Sequence, residues 1–285
     1  MTSAVHLDME TGDPDDVMTL AVLATHPRAN LRSVTLFPGG RDQVGLVRTV
    51  LRRLDRPDVL VGVGLPKKAK ATYVAEGFYR SWLGPINESE PDGSAVEVLS
   101  RFTGTLITGA PLTNVHWAYT AGALKGVKAW TCQGGFVGAS LMGDKVLPKF
   151  AGRETCPTWN FGGDRVAAVE LLRSFPRLHV PVQMVPKSVC HGVIYEAEDH
   201  LRMPRGAHPG LDLMLEGMGK YIDQKGRGKP LHDLVAAMLA LDPTLGTWVQ
   251  GTPFYERGEW GCRPEGPISA LVGFDSRRFL EALTG

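Results

Sequence analysis

The chain has 285 residues, 43% hydrophobic and 21% charged, enough to bury a large core. Its net charge is +1 and its pI about 7.7, so no global charge case exists for nucleic acid or a membrane surface. Cys132, Cys156, Cys190 and Cys262 are scattered without CxxC spacing, and reduced, buried thiols are expected rather than disulfides.

Strand-like apolar runs alternate with segments of helical period. SAVHL (3–7) leads into DDVMTLAVLATH (15–26), and LRSVTLF (31–37) into DQVGLVRTVLRRL (42–54). DVLVGVGL (58–65) is a third strand; helix-like SAVEVLSRF (94–102) precedes strand GTLITGA (104–110). Helix-like NVHWAYTAGAL (114–124), strand VKAWTCQGG (127–135), helix GDRVAAVELLRSF (163–175) and strand VPVQMVPKSV (180–189) continue the pattern. Val/Ile/Leu runs of this kind point to an α/β fold: a Rossmann-like, mostly parallel sheet with helices on both faces. Residues 208–241 read as helical around the polar turn DQKGRGK (223–229), forming a C-terminal helical cap. A Gly-rich aromatic stretch (246–261) reads as a hairpin, and SRRFLEAL (276–283) as a closing helix. Without an internal repeat or linker, the expectation is one domain over residues 1–285. No apolar run approaches the roughly 20 residues of a membrane span, and no signal-like segment precedes the first strand, so a cytoplasmic protein is expected. The basic runs RRLDR (52–56) and PKKAK (66–70) read as solvated faces.

Three clusters carry possible chemistry. Asp8, Glu10, Asp13, Asp15 and Asp16 fall within nine positions, where a strand meets a helix. Asp13 as N-cap, Pro14 at the first helical position and the helix dipole account for part of this charge. Dipole effects of roughly 0.3 to 1 kcal/mol each do not offset five crowded carboxylates, whereas a hard cation with oxygen ligands does. LITGAPLTNVHWAY (106–119) breaks an apolar strand at Gly109 and places Thr113 and Asn114 at a helix start, which alone is an ordinary strand-to-helix turn. KPLHDLVAAML (229–239) puts His232 and Asp233 in the first turn of an otherwise apolar helix, where Asp233 alone reads as a cap.

In this order, the three clusters resemble the inosine–uridine-preferring nucleoside hydrolase family. That family opens with Asp-x-Asp-Pro-Gly-x-Asp-Asp, has Gly-Pro-Leu-Thr-Asn after a middle strand, and a late His-Asp pair. The counterparts here are DMETGDPDD, GAPLTN and HD. SVTLFPGG (33–40), CPTWNFGGDRVAAVELL (156–172) and FDSRRFLEAL (274–283) match further family segments.

The resemblance implies one Ca²⁺ held by Glu10, Asp16, the Thr113 carbonyl and Asp233, with Asp8 and Asn114 as supporting motif residues. Glu10 or Asp15 would deprotonate a metal-bound water that attacks the anomeric carbon, and His232 would protonate or contact the leaving base. Asp15, Thr158, Trp159, Asn160 and His191 would line the sugar pocket. The implied activity is N-glycosyl hydrolysis of a nucleoside-like small molecule, with another ribosyl linkage or a non-catalytic ribose-binding protein as rivals. A homodimer or homotetramer is implied, with no nucleic-acid or membrane partner. The chain also departs from the family pattern. Its first motif is one residue longer and has Glu10 for Asp, Thr158 replaces a sugar-binding Glu, and Gly40 replaces an Asn. Losing a carboxylate at residue 158 implies a substrate other than a plain ribonucleoside, with a phosphate or another 5′ substituent relieved of repulsion; Lys187 and Arg153 read as surface residues, with contact to an anionic group as the rival role. The stretch 248–261 reads as hairpin core, with stacking on the base as the rival role.

Overall fold

The computed structural model describes residues 2–64 and 76–285; the PKKAK run lies outside them. In chain order the first strands are β1 (Ser3–Met9), β2 (Ala29–Leu36), β3 (Leu60–Val63), β4 (Gly93–Ser94), β5 (Gly104–Thr108) and β6 (Val127–Gln133). Then come β7 (Thr155–Cys156), β8 (Val182–Val185), β9 (Ile194–Tyr195), β10 (Lys229–Pro230), β11 (Gly246–Glu256), β12 (Glu259–Pro264) and β13 (Ile268–Phe274). The helices begin with α1 (Pro14–Thr25), α2 (Arg41–Arg53), α3 (Glu76–Leu83), α4 (Ala95–Ser100), α5 (Thr113–Thr120), α6 (Ala139–Met142) and α7 (Trp159–Gly163). They continue with α8 (Arg165–Arg177), α9 (Lys187–Cys190), α10 (Ala197–Arg202), α11 (Pro209–Lys225), α12 (Asp233–Leu241) and α13 (Ser276–Ala282).

The main sheet has eleven strands in the order β4-β3-β2-β1-β5-β6-β8-β13-β11-β12-β7. From β4 to β13 neighbours run parallel; β11, β12 and β7 add an antiparallel edge. The mostly parallel, helix-flanked α/β sheet is therefore as the pattern of apolar runs implied. The C-terminal hairpin, β11 with β12, extends the main sheet through β13. The helical reading of 208–241 shifts, because α11 continues through Lys225 and stops at Gly226, which adopts the left-handed conformation of a helix C-cap.

Strand order reverses between β1 and β5, the kind of point outside whose carboxyl ends ligands settle in open α/β sheets. α1 and α12 are buried almost throughout because their apolar residues cover the helix all round, so both have no broad solvent face. Their N-termini meet above that switch point and bring the acid cluster against the His-Asp pair. The four cysteines are free and buried, and among the described residues no helix is long and apolar enough to cross a membrane.

Candidate active site

Asp13 caps α1: its carboxylate accepts from Asp15 N at 3.0 Å, and Asp13 N donates to Asp16 Oδ2 at 3.2 Å, with Pro14 at the first helical position. The loop before the cap, with its extra residue, is held from outside. The Tyr79 hydroxyl on α3 donates to the carbonyls of Thr11 (2.9 Å) and Asp13 (3.0 Å), and Gln43 Nε2 donates to Thr11 Oγ1 at 2.9 Å. Asp15 Oδ2 accepts the backbone N–H groups of His232 at 2.6 Å and Asp233 at 2.7 Å, which ties the start of α12 to the start of α1. Gly109 makes the approach possible from the β5 side. A Cβ there would stand 2.0 Å from Asp233 Oδ2, so any side chain would displace the carboxylate.

These residues open onto a cavity of 440 Å³. Glu10, Gly12, Asp13, Asp15 and Asp16 reach it from the β1–α1 junction, Gly109 from the end of β5, and Gln133 and Gly134 from the end of β6. Thr158, Trp159 and Asn160 come from the start of α7, Lys187 and His191 from α9 and its end, and His232 and Asp233 from α12. Asp8, Asn114 and Thr113 do not line it. Asp8 is fully buried and accepts from Thr35 Oγ1 at 2.6 Å and Asn114 Nδ2 at 2.8 Å, joining β1, β2 and α5 beneath the pocket. Thr113 is half-buried, and its hydroxyl donates to Asp164 Oδ2 at 2.8 Å.

Burial dominates the electrostatics. It raises the Glu10 carboxyl above the usual range, opposed by the Trp159 indole N–H, which donates to Glu10 Oε2 at 2.8 Å. Burial also pushes Asp15 up to about 6, with the Lys229 ammonium opposing and Asp13 adding to the rise. Asp16 and Asp233 are raised furthest by the same desolvation, Asp16 further by the charges of Asp13, Asp15 and Glu10 and Asp233 by those of Asp16 and Asp15; a hydrogen bond between the two carboxyls lowers Asp16 and raises Asp233. Lys229 supplies the one counter-charge that the sequence reading missed. Its side chain is 4% exposed and its Nζ stands 2.7 Å from Asp13 Oδ1; burial works against its charge, and Asp15 and Asp13 outweigh it.

In the same pocket, the His191 and His232 rings stack at 4.6 Å and 14°. Burial lowers His232 to about 4 and His191 to about 3, so both imidazoles are neutral near pH 7. His191 Nδ1 accepts from Lys149 Nζ at 3.2 Å, which puts the His191 proton on Nε2. Asn160 commits its amide N–H₂ to the side-chain and backbone carbonyls of Gln133. Gln133 is another residue the sequence reading missed; its place at the end of an apolar strand before Gly-Gly was the available signal.

The donor chemistry suits a hard cation: Asp233 Oδ2 is a buried carboxylate oxygen without a hydrogen-bond partner, beside Asp16. The expected ligand set is not drawn together, however. Among the described residues no three His, Cys, Asp or Glu side chains are arranged to hold an ion as they stand. Glu10 is turned onto Trp159, and Thr113 lies outside the pocket wall.

Residues 5–281 match the family described as inosine-uridine preferring nucleoside hydrolase. The chain belongs to this family. An uncharacterized protein of Aquifex aeolicus (strain VF5) is 26% identical over 283 residues, spanning 96% of this chain and 95% of its own. Among solved structures, the plant nucleoside hydrolase PpNRh1 superposes with a TM-score of 0.73 at 19% identity, covering 100% of this chain and 98% of its own. An inosine-uridine preferring nucleoside hydrolase from Bacillus anthracis gives a TM-score of 0.72 at 16% identity, with the same coverage. At these identities the likeness establishes the nucleoside hydrolase fold. Activity as an N-ribohydrolase is the general expectation for a family member.

Proposed function

We propose that this protein hydrolyses the N-glycosidic bond of a ribonucleoside or modified nucleoside, releasing the free base and the ribose moiety. The observation that carries the reading is the pairing across one cavity of a buried, unpartnered carboxylate oxygen, Asp15 Oδ1, with a stacked pair of neutral imidazoles. A base whose pKa lies near the working pH is the efficient one, and burial moves Asp15 toward that value.

The residues divide the work. Asp15 is held by two backbone N–H groups on Oδ2 and keeps Oδ1 to take a proton from water. His232, whose Nε2 has no partner, faces the departing base as a hydrogen-bond donor or proton carrier. The His191 ring fixes the His232 plane by stacking, as Lys149 fixes His191. Trp159 and Asn160 wall the sugar, and the buried carboxylates favour positive charge developing on it. Glu10, Asp16, Asp233 and the Thr113 carbonyl would hold a divalent cation, for which Ca²⁺ suits the all-oxygen set. When bound, the cation would acidify water and grip sugar hydroxyls. The substrate is a small molecule, the compartment the cytoplasm, and the assembly a homodimer or homotetramer.

The test is base release from a panel of nucleosides and modified nucleosides with Ca²⁺ and with EDTA, in wild type and Asp15→Asn. Release that is lost in EDTA and in Asp15→Asn supports the reading. No release from any N-riboside with Ca²⁺ present refutes it.

A further inference from the structure

The elements around the pocket contribute unequal charge. Every acid lining it comes from the β1–α1 junction or α12; the β7–α7 and β8–α9 junctions contribute none. Those two junctions are joined by Lys187, whose Nζ donates to the Pro157 carbonyl at 2.9 Å, one residue before Thr158. Among the described residues lining the cavity Lys187 is the only lysine or arginine. An ammonium has three N–H donors, and Pro157 takes one of them. Thr158 Oγ1 is buried with no hydrogen-bond partner, although Thr158 lines the cavity and precedes α7 without capping it. A buried hydroxyl without a partner is costly unless a ligand satisfies it. Arg153, the other cation considered for an anionic group, is exposed and lies outside the lining.

Free cationic N–H groups close to an unmatched hydroxyl, from two junctions that contribute no acid of their own, are a donor set for a phosphate. We propose that the Thr158–Lys187 corner binds a phosphate carried on the substrate's ribose, so that phosphorylated N-ribosides are the substrate class. The inference rests on the ribohydrolase reading and adds the substrate class. The reaction balances without touching the phosphate ester. The water oxygen bonds to the anomeric carbon, the C–N electron pair leaves with the base, and the two water protons are divided between the base and the new hydroxyl. Lys187 and Thr158 act as binding and specificity residues, because the phosphate lies several bonds from the broken linkage.

The experiment is calorimetry of the Ca²⁺-loaded protein with ribose and with ribose 5-phosphate, in wild type, Lys187→Gln and Thr158→Val. Wild type binds ribose 5-phosphate at least about ten-fold more tightly than ribose, and each substitution lowers that ratio, Lys187→Gln by about ten-fold. Equal affinity of wild type for the two sugars overturns the inference, as does a ratio that neither substitution moves. If neither sugar binds, the ribohydrolase reading itself fails, a result distinct from ribose binding to which phosphate adds nothing.

Discussion

Substituting Gly109→Ala tests whether the Asp233 carboxylate occupies its place because the end of β5 leaves room for it. The added Cβ would lie 2.0 Å from Oδ2, 2.4 Å from Cγ and 2.7 Å from Oδ1 of Asp233. Ordinary contact begins near 3.4 Å, so the carboxylate must retreat by about 1.4 Å. It has little freedom to do so, since Asp233 is 5% exposed and its own N–H is bonded to Asp15 Oδ2 at 2.7 Å. Overpacking of this kind costs about 1 to 3 kcal/mol, and with about 2 to 4 °C per kcal/mol the expected fall in Tm is roughly 2 to 12 °C. A displacement near 1 Å in a reacting constellation costs on the order of 100-fold in rate. Both effects are measured by thermal melting and base-release kinetics, with Ca²⁺ affinity by calorimetry as a third readout. Gly162→Ala is the control, because its Cβ would meet nothing within 4 Å and it lies within α7. A Gly109→Ala protein that melts and binds Ca²⁺ like wild type would refute the reasoning.

Metal linkage has a definite sign. Asp15, Asp16 and Asp233 hold their protons more tightly in the folded chain than in the unfolded one, where a carboxyl titrates near about 4. Between that value and the raised one the folded state carries more protons, so the stability of the metal-free protein falls as pH rises through this window. Ca²⁺ competes with those protons, and the rise in Tm on adding Ca²⁺ grows from pH 5 to pH 8; a shift independent of pH would contradict it. Trp159→Phe removes the indole donor to Glu10 Oε2, and tryptophan fluorescence that responds to Ca²⁺ in wild type becomes silent in the variant. An unchanged response would place the reporting tryptophan elsewhere. Asp15→Asn keeps the shape but turns an amide toward the N–H groups of His232 and Asp233, or leaves them a neutral acceptor. It lowers kcat by about 100-fold or more, as loss of a general base does. Near-normal kcat would move the base to Glu10, which Glu10→Gln would then report.

Much of the architecture was legible from local pattern. Strand-length apolar runs alternating with amphipathic segments specify a parallel, helix-covered sheet, because a strand buried on both faces cannot carry a polar alternation. Asp13-Pro14 announced its helix start for the same reason, a cap and a fixed φ being properties of neighbouring residues. The three clusters, far apart in the chain, were recognisable as one set only through the family they resemble. What closes them into a site lies in contacts between distant segments. Lys229 neutralises Asp13 across more than two hundred residues, Tyr79 pins the lengthened loop, and Trp159 holds the Glu10 carboxylate. None of these has a periodicity or a fixed spacing to betray it. Desolvation decided the rest: pattern can name an acid, but only the packing around it sets whether Asp15 stands ready to take a proton and whether His232 is neutral.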